Sequence, residues 1–157
     1  MAEKKLLKFG ESYLVSGSNI DEAYEIFLAN VSTDKKGLLV WRNHAKKSMA
    51  ELKGKDVKAI WITNISSELE HLQPHELEQL SYDIEKFMMQ NKRSVVLLLS
   101  LEYLVSFNSF KDILHLVQTM RDLAAEHDVL FLAYVGVDTL SKQDEGLLKQ
   151  ELIPIVD

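Results

Sequence analysis

Residues 94–100 read Ser-Val-Val-Leu-Leu-Leu-Ser, the most apolar stretch of the chain. Its apolar residues are continuous rather than alternating. A strand with one wet face alternates, whereas a continuous run needs cover on both faces, which is the condition of a central parallel strand. Parallel strands need crossover connections, usually helices. The rest of the chain supplies both. Ser12–Gly17, Gly37–Arg42, Lys58–Thr63 and Val129–Val135 read as further strands, and residues 152–156 as a short one in which Pro154 suits a sheet edge. Between them lie 3.6-residue patterns: Ile20, Ala23, Tyr24, Phe27, Leu28 and Val31; then Leu77, Leu80, Ile84, Phe87 and Met88; then Phe110, Ile113, Leu114, Val117, Met120 and Leu123. Trp41 and Trp61, inside strands, read as core. Met88 reads as core and Met89 as exposed.

Capping signals punctuate these helices. Asn19 with Glu22, or Ser18 with Asp21, resembles a capping box before the first helix. Pro74 is placed to open the next one. Ser109 with Asp112 and Ser141 with Asp144 cap the later ones, and residues 47–52 read as a short helix. The order predicts an α/β fold: a three-layer α/β/α domain with a mainly parallel sheet of five or six strands. At 157 residues, one domain spans the chain. Ligands on such sheets sit beyond the carboxyl ends of the strands. That directs attention to residues 16–19, 42–45, 63–67, 100–103 and 136–139.

The first of these, Ser16-Gly17-Ser18-Asn19, stands where a phosphate loop would stand. A phosphate loop needs several glycines, a lysine for the outer phosphates and a hydroxyl for magnesium. Here there is one glycine and no lysine, and Asp21 and Glu22 follow at once in the first helical turn, where they repel phosphate. A capped strand-to-helix turn accounts for every residue without a ligand. Glu102, beyond the most apolar strand, could assist a magnesium ion only by pointing into the crevice; its other reading is a surface pair or a helix cap. Ser16, Gly17, Ser18, Asn19, Arg42 and Glu102 are nonetheless the candidate nucleotide-binding set.

Other chemistries fare worse. With no cysteine, disulfides, thiolate catalysis and zinc-thiolate sites are excluded. His71 and His75 are four apart, but Pro74 lies between them and no third ligand follows; His44, His115 and His127 lack an evident carboxylate partner. No Gly-x-Ser-x-Gly elbow is present. Neither a metal nor a cofactor is expected. A net charge of −6 disfavours nucleic acid, whose affinity comes largely from Lys and Arg on phosphates. No apolar run reaches the roughly 20 residues a membrane span needs, and no secretory core follows the first lysines. The expected location is the cytoplasm.

The stretches at 9–17, 37–42, 59–63 and 101–110 together resemble the archaeal family called domain of unknown function 835. The likeness runs from about Gly10 to the end. Its most specific piece is Leu101-Glu102-Tyr103-Leu104 followed by Asn108 and Phe110, with Arg42 in support. The chain departs from the family pattern where Leu99-Ser100 replaces Asp-Gly, so the acidic group expected at that strand end is missing. The resemblance implies a KaiC/RecA-like scaffold without a phosphate loop, and a non-catalytic signalling or scaffold module. Such a module would bind a protein partner or itself, as a homodimer. The alternative expectation is a weak nucleotide-binding protein.

Overall fold

The computed structural model describes residues 7–42, 56–64, 71–99 and 101–155. Its seven strands are β1 (Ser12–Gly17), β2 (Gly37–Trp41), β3 (Val57–Ile62), β4 (His71–Leu72), β5 (Val95–Leu98), β6 (Leu130–Gly136) and β7 (Ile153–Ile155). They form one sheet in the order β4-β3-β2-β5-β6-β1-β7, and every pairing is parallel. The helices are α1 (Ile20–Asn30), α2 (Leu77–Gln90), α3 (Leu101–Val105), α4 (Phe110–His127) and α5 (Lys142–Glu151).

Alternation along each strand divides the core. Leu14, Leu38, Val40, Val96, Leu98, Phe131 and Ala133 face one side and pack with α2, α3, α4 and α5. Tyr13, Val15, Leu39, Trp41, Val95, Leu97, Leu130 and Leu132 face the other, where α1 contributes Ala23 and Phe27. Both sides of β5 are covered, which is why its sequence is unbroken Val-Val-Leu-Leu. Gly37 sets the distance between α1 and β2. A Cβ there would stand 2.7 Å from Phe27 Cζ and 2.8 Å from Val31 Cγ2, so only glycine lets the end of α1 close on the strand.

The three-layer parallel fold is as expected, with seven strands where five or six were anticipated. The addition is β4, two residues beside Trp61 and Ile62 and too short to leave a periodic signal. Pro74 does not open α2. It occupies the second position of a turn closed by Glu76 N donating to Gln73 O, and the helix starts at Leu77. Proline's fixed φ suits that turn position as well as it suits a first helical turn. Leu101–Val105, to which the sequence reading assigns no element, is a short helix. Asn19, not Ser18, caps α1, with its side chain accepting from Asp21 N at 2.9 Å. Ser109 and Ser141 cap α4 and α5 as expected, accepting from Asp112 N and Asp144 N. β7 lies at the sheet edge, where Pro154 costs no ladder bond. The helix expected at 47–52, together with His44 and Ser100, lies outside the described residues.

Candidate functional site

β1 and β6 end side by side, Gly17 paired with Gly136. From there the chain diverges: β1 leads into α1 on one face of the sheet, β6 into α5 on the other. This is the geometry in which doubly wound sheets leave a crevice at their carboxyl edge. Three side chains join across it. Glu102, on α3, accepts from Gly136 N through Oε1 at 2.7 Å. Thr139 Oγ1 stands 3.3 Å from the same carboxylate oxygen and 2.7 Å from Gly136 O. With one proton to give, the threonine donates chiefly to the nearer carbonyl. Tyr134, buried near the end of β6, donates its phenol to Gly17 O at 2.7 Å, and Val137 N donates to the same carbonyl at 3.3 Å.

The electrostatics of this junction are negative. Burial raises the Tyr134 pKa above its ordinary value, and the carboxylates of Glu102 and then Glu22 raise it further. Glu22 Oε2 also lies 3.8 Å from where a Cβ on Gly17 would stand. The amides at the start of α1 are committed as well: Asp21 N to the Asn19 side chain, Glu22 N to Asn19 O. A helix N-terminus attracts an anion through free N–H groups and a positive dipole end. Here the capping residue takes up an amide, and Asp21 and Glu22 offset the dipole.

The six candidate residues are therefore only partly brought together. Ser16 and Gly17 are half-buried at the end of β1; Ser18 and Asn19 are exposed in the turn. Glu102 reaches the same corner through Gly136. Arg42 follows β2, which β5 and β6 separate from β1. Its guanidinium lies over the Tyr103 ring, 3.8 Å from the centroid, and Tyr103 in turn meets Phe107 edge-on at 5.1 Å. Arg42 thus supports the helix that carries Glu102 instead of facing Gly17. Tyr134 is a residue that sequence reasoning missed. Its signal was a hydroxyl inside an otherwise apolar strand, which must find a partner when buried.

Of the histidines, His75 and His115 line an open groove of about 960 Å³ between α2 and α4, and His71 packs edge-on against Trp61. A second groove, of about 510 Å³, lies at the amino ends of β2 and β3. Neither touches the Gly17–Gly136 corner. Among the described residues no three His, Asp or Glu side chains are grouped to hold a metal ion, and no helix is long and apolar enough to cross a membrane.

A family model described as "Protein of unknown function (DUF835)" matches residues 17–152. No curated protein matches the chain. A solved structure from Pyrococcus horikoshii OT3, described as a structural study of Project ID PH0250, superposes with a TM-score of 0.61 at 16% sequence identity, covering 97% of this chain and 85% of that one. At that identity the likeness is one of fold alone.

Proposed function

Because the chain belongs to the DUF835 family of unknown function, we propose that it is a non-catalytic regulatory or scaffold module that binds a protein partner through the loops at the carboxyl edge of its sheet. One observation carries this reading. Ile20, Phe107 and Val137 are 44%, 44% and 56% exposed, on the segments that follow β1, α3 and β6. Large apolar side chains left exposed beyond the strand ends are surface a partner can cover. The polar side chains at the Gly17–Gly136 corner are spent on backbone groups of the chain itself, which suits a rigid platform.

The all-parallel sheet with a capped turn after β1 is compatible with a KaiC/RecA-like scaffold that has no phosphate loop, and the absence of cysteine fits the cytoplasm. Nucleotide binding at Ser16–Asn19 has less to support it, since Glu22 and Glu102 place negative charge where phosphates would lie. Comparing partners captured by the parent chain and by the Ile20→Ser, Phe107→Ser, Val137→Ser triple variant tests the proposal. A partner retained by the first and lost by the second, with the circular dichroism spectrum unchanged, is the expected result. Equal capture by both overturns it. Calorimetric titration with ATP and ADP, with and without magnesium, tests the alternative: heat that disappears in Glu102→Ala would replace the interaction reading with a nucleotide site.

A further inference from the structure

α2 has a second apolar stripe. Its inner one, Leu80, Ile84, Phe87 and Met88, packs on the sheet. Opposite it, Tyr82 and Met89 are 59% and 56% exposed. Seven residues apart, they lie two turns along one line, about 10 Å from each other. The shoulders of that line differ in charge. On the side of α4, the 960 Å³ groove carries Glu76, Glu78, Glu85 and Asp112. On the opposite side, the 510 Å³ groove carries Lys36, Lys58 and Lys86, with Asp56 and Asp83. At 100° per residue, Glu85 and Lys86 stand on opposite sides of the Tyr82–Met89 line.

We propose that this face is covered by α2 of a second copy of the chain, packed parallel about a two-fold axis that runs along the two helices. Such an axis exchanges the shoulders. It keeps height along the helix, so the two flanks face each other where they overlap, around residues 83–86, and there Glu85 stands opposite the partner's Lys86 on both sides. Tyr82 packs on the partner's Tyr82, and Met89 on the partner's Met89. An antiparallel two-fold would set each shoulder against itself, Glu85 on Glu85 and Lys86 on Lys86, which like-charge repulsion disfavours. A 14-residue helix is about 21 Å long, so the flanking grooves have to contribute to reach the roughly 800 Å² per partner of a standard interface. This surface is distinct from the strand-end loops, so either proposal can fail without the other.

The chain has no cysteine, so a single introduced one reports direction directly. Under mild oxidation, Met89→Cys forms a covalent dimer in the parallel arrangement. In the antiparallel one, cross-linking requires a mixture of Met89→Cys with Tyr82→Cys. Sedimentation equilibrium gives the second readout. Glu85→Lys or Lys86→Glu alone weakens dimerisation about tenfold or more, as two opposed pairs turn repulsive. The double variant Glu85→Lys, Lys86→Glu restores it. A chain that stays monomeric at every concentration, a cross-link seen only in the mixture, or a double variant no better than the singles each overturns the proposal.

Discussion

Removing the Glu102 carboxylate tests whether the carboxyl-edge corner is a structural clamp or a ligand site. Glu102 Oε1 holds Gly136 N at 2.7 Å. A hydrogen bond to a charged acceptor contributes about 1.5–3 kcal/mol. Glu102 is only half-buried, and solvent screening discounts the figure to about 1–2 kcal/mol. For a 157-residue chain each kcal/mol moves the melting temperature by about 2–4 °C. Glu102→Ala is therefore expected to melt about 2–8 °C lower than the parent. Glu102→Gln keeps an oxygen that can accept from Gly136, and a neutral bond has about half the strength of a charge-assisted one, so it should lose about half as much. Glu102→Gln also relieves one of the two carboxylates that act on Tyr134, and the phenol should titrate earlier, followed by tyrosinate absorbance. Thermal melts by circular dichroism at neutral pH measure the series. A variant that melts at or above the parent refutes the clamp. A carboxylate whose removal stabilises the fold is one held at a cost for function.

Three further expectations follow from the packing of the fold. Gly37→Ala forces a Cβ to 2.7 Å from Phe27 Cζ and should cost about 1–3 kcal/mol in urea unfolding, as overpacking does; an unchanged midpoint would mean that α1 does not close on β2. Gly146, exposed inside α5, has no heavy atom within 4 Å of a Cβ built on it, and Gly146→Ala should stabilise by about 0.5–1 kcal/mol, a gain that a frayed α5 would not return. Tyr134→Phe loses the bond to Gly17 O and should cost about 1 kcal/mol at neutral pH. Because the folded chain holds the Tyr134 proton more tightly than a free phenol, whose pKa is 10.0, the parent has its full stability below that pH and loses some as pH rises from there toward the folded pKa. Melts across that range should show the parent declining more steeply than Tyr134→Phe.

The fold was legible where burial leaves a pattern. The continuous Val95–Leu98 run, buried on both faces, read as an inner parallel strand, and Ser18 or Asn19, Ser109 and Ser141 marked three helix starts because a short polar side chain before an apolar period has few other uses. β4 was invisible for the opposite reason. Two residues form no period, and His71–Leu72 joins the sheet only because Trp61 and Ile62 offer an edge. Pro74 misled because a fixed φ satisfies a turn and a first helical position equally.

The candidate site was half legible for a reason rooted in charge. The sequence points to Gly17 and Glu102 because both sit where parallel strands end. It cannot say what Glu102 faces, since that depends on Gly136, a residue 34 positions away. Once that contact is known, the sign of the corner follows. Its carboxylate is spent on a backbone amide of its own chain, and a second carboxylate, Glu22, flanks the same phenol. An edge that binds phosphate must leave amides free and keep carboxylates away. This one uses an asparagine to close the first turn and brings two carboxylates in, while Ile20 and Val137, which follow β1 and β6, stay exposed. Such an edge has little to offer a nucleotide and a good deal to offer an apolar surface, so the charge at this corner, more than the missing glycines, separates the two readings.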